Sequence, residues 1–229
     1  MSDQRNDRRG GFYWILERPY VTVTTALKVI DKPALLRWYG KQVYLAMVKD
    51  PSLDELAALN APYQVSENAK SRGKTVHSIV EAYKSSGAVI DTIPDEFKGY
   101  AEAFYSWIKD QDVEILENEK TVVSVKHMYA GTMDMIVKNK KTNETWIIDV
   151  KTGKDIYLEA FLQLSAYKAA LEEKGQKVDR LGVLLLQETG KYKFEETESY
   201  FEAFLAAKSL WEFINKEDCK KLGYTKGGE

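Results

Sequence analysis

The apolar positions of the chain change rhythm near residue 110. Before it they recur every three to four residues, as on one face of a helix. After it they form short alternating or unbroken runs, as in strands. The pattern predicts a short aromatic strand over residues 12–16, closed by Pro19, and a helical turn starting near Thr24 or Thr25 with threonine as the cap. A helix then runs from Pro33, with Asp31 as N-cap, to about Lys49, where Asp50-Pro51-Ser52 breaks it. Residues 54–59 read as a short helix, and Pro62 restarts the pattern. From Ser66 to about Lys84 a longer helix carries Val76, Ile79, Val80 and Tyr83 on one stripe. Gly73 inside it is unfavourable by ~1 kcal/mol relative to alanine, which marks close approach of another backbone or of a ligand. Ser85-Ser86-Gly87 ends that helix, and Pro94 opens another with Phe97, Tyr100, Phe104 and Trp107. Trp38, Tyr39, Tyr105 and Trp107 stand at helical spacing and read as core, with stacking on unpaired bases as the alternative.

Beyond residue 110 the expected order is strands at 113–117 and 121–125, then a hairpin with arms 131–137 and 146–151. A strong helix over 156–173, an apolar strand over 181–186, an edge strand over 192–194 and an amphipathic helix over 200–214 follow. This organises the chain as a polar tail (1–10), a helical N-terminal region (11–110), an α/β core (111–217) and a C-terminal tail (218–229). The fold class is α/β in the α+β sense: a mixed sheet flanked by helices, with a helical N-terminal region.

Composition narrows the function. The 229 residues are 30 % charged and 44 % hydrophobic, as in an ordinary globular chain. No apolar run approaches the ~18–20 residues that span a bilayer, so no membrane role is expected. One cysteine, Cys219, excludes an internal disulfide framework and a four-cysteine zinc or iron–sulfur site. That composition fits a reducing, cytoplasmic setting, ahead of a mitochondrial one. A net charge of −2 argues against a protein that coats nucleic acid over its whole surface, but leaves room for a local basic groove. Positive residues cluster at Arg5, Arg8 and Arg9, at Lys70, Arg72 and Lys74, at Lys138, Lys140 and Lys141, and at Lys151 and Lys154. Each cluster alone also reads as a solvated face.

The hairpin holds the chemistry. Side chains in a strand alternate faces, so Asp149 and Lys151 point to one side and Val150 to the other. If the arms pair, Asp134 on the first comes near Asp149 on the second. Two carboxylates brought together are costly unless a positive charge lies between them. A divalent ion such as Mg²⁺, held by one or two carboxylates with water and phosphate, answers that need.

Four short motifs, in order, resemble those of the PD-(D/E)XK nuclease superfamily, in particular its RecB-like, Cas4-like exonuclease branch with mitochondrial genome-maintenance and phage members. They are Gly73-Lys74-Thr75-Val76-His77, Gly131-Thr132-Met133-Asp134, Asp149-Val150-Lys151-Thr152-Gly153 and Gln163-Leu164-Ser165-Ala166-Tyr167. The resemblance spans residue 66 to about residue 187. It implies a restriction-endonuclease-like core and a Mg²⁺- or Mn²⁺-dependent deoxyribonuclease. One or two ions would be held by His77, Asp134, Asp149 and the Val150 carbonyl. Lys151 would orient or deprotonate water, or stabilise charge on the phosphate. Gln163 and Tyr167 would face the site, with core packing as the other reading of Tyr167. Glu119 and Glu81 are further candidates, the second equally a surface residue. Lys70, Arg72, Lys74 and Lys154 would contact DNA, single-stranded or with free ends, alongside a helicase, recombinase or single-strand-binding partner. Iron–sulfur members of the branch carry cysteines absent here, which points to a stand-alone phage-like or organellar-like exonuclease. A structure-specific endonuclease and a non-catalytic DNA-end binding subunit are the competing readings.

Overall fold

The computed structural model describes residues 7–86 and 90–224. Three strands come first: β1 (Asp7–Arg9), β2 (Phe12–Ile15) and β3 (Arg18–Thr22). The stretch expected to hold a polar tail and one short strand therefore opens with a three-stranded meander, whose β2 is the strand expected over residues 12–16. Its Phe12, Tyr13, Tyr20 and Val21 are buried, and burial in the main core holds strands that are too short to stand alone. Helix α1 (Val23–Ala26) is capped by Thr22, whose Oγ1 accepts the Thr25 N–H at 3.0 Å. Helix α2 (Pro33–Lys49) starts at the predicted proline, although Lys32 and not Asp31 sits at its N-cap.

Helix α3 (Glu55–Ser86) is continuous through Pro62, where the pattern predicted a break. A proline removes one N–H bond and crowds the preceding turn. The neighbours Ala57, Ala58, Leu59 and Ala61 are strong helix formers that carry the helix past it. Asp54 caps the start, its Oδ1 accepting the Ala57 N–H at 2.7 Å. Helix α4 (Asp95–Gln111) follows.

The sheet continues with β4 (Val113–Ser124), β5 (Tyr129–Asn139), β6 (Thr145–Lys151), β7 (Arg180–Leu186) and β8 (Tyr192–Thr197). Helix α5 (Leu158–Glu172) crosses from β6 to β7, and α6 (Phe201–Ile214) and α7 (Lys216–Lys221) close the order. Residues 113–124 form one strand with a bulge between Ile115 and Glu117, not two strands. The polar run 117–120 stays extended because β5 pairs with it on both sides of the bulge.

The sheet is mixed, in the order β1-β2-β3-β5-β6-β7-β8, with β4 on β5. Strand β4 lines one edge of β5 along its length. The other edge is shared. β3 pairs with it in parallel at residues 129–130, and β6 in antiparallel at residues 135–138. Residues 131–134 of β5 lie between these partners. Apolar clusters fill both faces. On one, Ile136 and Ile147 meet Leu164, Tyr167 and Phe204 of α5 and α6. On the other, Met135, Ile148 and Val150 meet Val76, Phe104 and Trp107 of α3 and α4. Mixed sheet and flanking helices match the fold class expected.

The end of the described chain is also bound in. Cys219 and Tyr224 are buried, in the stretch expected to be a C-terminal tail. The Tyr224 hydroxyl lies 2.6 Å from Glu212 Oε1 and 3.1 Å from the Met128 carbonyl oxygen. That carbonyl also accepts the Val21 N–H at 3.3 Å.

Close packing fixes Gly99. A Cβ on Gly99 of α4 would stand 1.8 Å from the Glu188 carbonyl oxygen. Gly40 of α2 has nothing within 4 Å. Gly99→Ala is expected to cost about 1–3 kcal/mol, whereas Gly40→Ala gains up to about 1 kcal/mol. Urea unfolding of the two variants beside the parent checks both signs.

Candidate metal centre

The site forms where β6 leaves β5. Their last paired residues toward the site are Met135 and Ile148. Past that point the strands diverge, and a side chain replaces the ladder: the Val150 N–H donates to Asp134 Oδ2 at 2.7 Å. Asp134 is thus pinned in the fork. Asp149, one residue back on β6, is 4 % exposed. Lys151, on the same side of β6 as Asp149, donates to Asp149 Oδ1 at 2.8 Å and lies 2.7 Å from Oδ2. Although Oδ2 is within ion-pair distance, it is buried and lies outside any hydrogen-bonding direction.

Helix α3 supplies His77 from across the sheet. Its Nε2 sits 3.1 Å from the Val150 carbonyl oxygen, so this nitrogen donates in the neutral ring. Nδ1 then faces Glu119 Oε1 at 3.5 Å and Asp134 Oδ1 at 3.6 Å. The register Asn118 to Met135 and Lys120 to Met133 puts Glu119 across from Asp134. Glu119 has φ 47, in the left-handed region that non-glycine residues rarely adopt. His77, Glu119 and Asp134 each bring one ligand atom within 4.8 Å of the others.

Helix α5 backs the carboxylates. Tyr167 packs on Gly131, where a Cβ would come within 2.5 Å of its Cε1. Burial first, then the charges of Asp149 and Asp134, hold its phenol well above the usual range. Tyr167 therefore stays a neutral, packed wall behind the acids. Gln163, one turn earlier, lines a cavity toward α2.

The electrostatics are those of acids short of counter-charge. Burial, and then Asp149, push Asp134 up to about 7. Burial alone would lower His77, but the Glu119 hydrogen bond and the charges of Asp134 and Glu119 outweigh it, and its pKa is raised. Burial likewise opposes the charge on Lys151, yet Asp149 and Asp134 raise its pKa further. Lys151 is thus held as an ammonium, suited to neutralising a phosphate oxygen. The buried Asp149 Oδ2, the raised Asp134 and a donor set of carboxylates with one imidazole fit a hard divalent cation.

The expected residues divide. Asp134, Asp149, Lys151, His77, the Val150 carbonyl and Glu119 come together. Glu81 does not join them: it is exposed, and both His77 nitrogens are turned away from its helical turn, toward the sheet. Gly73 makes only ordinary contact, 3.6 Å to Thr152 Oγ1, and no backbone crowds it. Lys70 is held in an exposed pair with Glu67 at 2.6 Å. The charge of Arg72 reaches Tyr100 of α4, and Lys74 and Lys154 are exposed. Sequence reasoning missed Tyr13, whose hydroxyl lies 2.7 Å from Thr132 Oγ1 beside the fork. Nothing in the alternation of residues 12–16 announces a partner more than a hundred positions away.

The chain belongs to the PD-(D/E)XK nuclease superfamily, whose sequence model matches residues 52–225. Members use divalent metal ions and hydrolyse nucleic acids. No curated protein sequence matches the chain. Among solved structures it is similar to one titled "Crystal structure of SSO0001", at 14 % identity and a TM-score of 0.41. That match covers 85 % of this chain and 75 % of the other. Among the described residues no helix is long and apolar enough to cross a membrane.

Asp134 gives a pH test. Its folded pKa lies above the ordinary 3.8, so the folded state holds the proton more tightly than the unfolded chain does. The stabilisation is present at acid pH and is lost as pH rises from 3.8 through about 7. Asp134→Asn removes this dependence. In chelator, the variant is expected to gain on the parent by a few kcal/mol across that window, at ~1.4 kcal/mol per pKa unit. Thermal melts at stepped pH measure it, and parallel curves count against the assignment.

Proposed function

We propose that the protein is a Mg²⁺- or Mn²⁺-dependent deoxyribonuclease of the RecB-like, Cas4-like branch, an exonuclease on single-stranded DNA or DNA ends in replication, recombination or repair. The observation that carries this is the convergence of Asp134, Asp149, Lys151 and His77 at one strand fork, on the motifs expected to hold them. His77, Asp134, Asp149 and Glu119 would hold the metal, with the Val150 carbonyl available beside them. The ion supplies an activated water and a counter-charge for the phosphate.

The chain's own groups have separate tasks. Asp134 is fixed by the Val150 N–H, so its second oxygen is aimed at the cation site. His77 is oriented by the Val150 carbonyl, which leaves Nδ1 for ligation. Lys151, held beside Asp149, would set its ammonium against a non-bridging phosphate oxygen. Gln163 lies on the strand's path, and Lys74 and Lys154 add exposed positive charge along it. A partner helicase, recombinase or single-strand-binding protein would present the free end.

End-labelled single-stranded DNA with Mg²⁺ or Mn²⁺ is expected to be shortened from its ends, and EDTA to stop the reaction. Asp149→Ala and Lys151→Ala are each expected to lower the rate at least about 100-fold. Covalently closed circular DNA should stay intact. Cutting of the circle would make the protein an endonuclease. DNA binding without turnover in either metal would reduce it to an end-binding subunit.

A further inference from the structure

The hairpin β1–β2 and the start of α2 lie outside the residues matched by the family. Arg8 of β1 lies across from Tyr13, with its guanidinium 5.7 Å from that ring's centroid. Tyr13 is the residue bonded to Thr132, two positions before Asp134. The charge of Arg8 also reaches Tyr167, behind the carboxylates. Among the described residues no carboxylate pairs with Arg8, whose hydrogen bond is a long one, 3.5 Å from Nη2 to Thr24 Oγ1.

Thr24 leads into a cavity of ≈ 810 Å³ between the turn 27–29, the first turns of α2 and helix α5. Its wall holds Lys28, Leu35, Leu36, Tyr39 and Gln163. Asp31 also lines it, and Lys32 is neutralised there by Glu159 at 2.7 Å. The Tyr39 ring is braced by Trp38 at 5.1 Å and by Tyr63 at 5.7 Å. Leu35 and Leu36 are exposed apolar side chains on that wall. The Gln163 amide bonds to no described residue.

Three chemistries thus surround the cavity: a cation at Thr24, an apolar aromatic wall, and an amide. They match phosphate, base face and base edge of an unpaired nucleotide. Its volume falls within the about 300–1,000 Å³ of small-ligand pockets, room for a nucleotide of a single strand. Given the nuclease reading, on which this rests, we infer that the cavity seats the single strand next to the scissile phosphate, with Arg8 on a backbone phosphate and Tyr39 stacked on a base.

The test is equilibrium binding of fluorescein-labelled oligothymidylate in EDTA, followed by anisotropy over a salt series. Arg8→Gln and Tyr39→Ala should each weaken binding about fivefold or more. Arg8→Gln should also reduce the slope of log affinity against log salt by roughly 0.7, and Tyr39→Ala should leave that slope unchanged. Tyr39→Phe, which keeps the ring, and Lys216→Gln, far along the chain on α7, should bind as the parent does. If the parent binds and cleaves while Arg8→Gln and Tyr39→Ala match it in affinity and slope, the cavity is not the seat and the nuclease reading stands. If the parent neither binds in EDTA nor cleaves with Mg²⁺ or Mn²⁺, both readings fall. Equal affinity for a blunt duplex, with Tyr39→Ala silent, overturns the assignment to an unpaired strand.

Discussion

Strand β5 offers one edge to two partners, and neither covers it completely. β3 takes its first residues and β6 its last, in opposite directions. Between them the backbone groups of residues 131–134 lack a full ladder. A buried N–H left unpaired is expensive, and where the β5–β6 ladder ends a side chain takes up the next one of β6. Asp134 accepts the Val150 N–H, and Thr132 bonds to Tyr13 and lies 3.2 Å from Thr121. The fork is thus a structural necessity of the sheet topology, and it places a carboxylate where a strand would otherwise run.

The same geometry creates the charge imbalance on which the chemistry rests. Asp149 is buried because Trp146, Ile147 and Ile148 carry β6 into the core ahead of it. Asp134 is fixed beside it by the fork. Lys151 and His77 offset part of the repulsion, but each is itself raised above its ordinary pKa by the acids. A rigid frame keeps the group from relaxing. Apolar clusters pack both faces of β5 and β6, so the carboxylates do not separate without opening one of them. The glycine at 131 serves the same end, since any side chain there displaces Tyr167 from behind the acids.

The central hairpin was legible in the sequence because its signals are local. Alternation in the first arm, a polar connection and an apolar run ending in charge fixed both arms and brought Asp134 to Asp149. Histidine 77 needed the motif around it, for spacing on a helix says nothing about which strand it will meet. Less could be read where distant partners decide. Strands β1 to β3 depend on a core assembled from later residues. Helix α3 passes through Pro62 because its flanks favour it. Glu119, a candidate by resemblance, fell between two expected strands, and only the pairing with β5 reveals a strained residue inside one. Tyr224 looked like frayed tail, since one aromatic among lysines and glycines carries no pattern.

Tyr224 has a consequence for how the chain comes to its final state. Its hydroxyl and the amide of Val21 converge on the carbonyl of Met128, the residue just before β5. The partner at 224 is separated from it by 96 positions. Contacts so distant are among the slowest to form, because a long loop must close first. During synthesis the hairpin arms can meet early, but the strand leading to Asp134 is clasped only once the chain beyond α7 has emerged. A nascent protein of this design would lack that clasp on the strand until residue 224 has emerged.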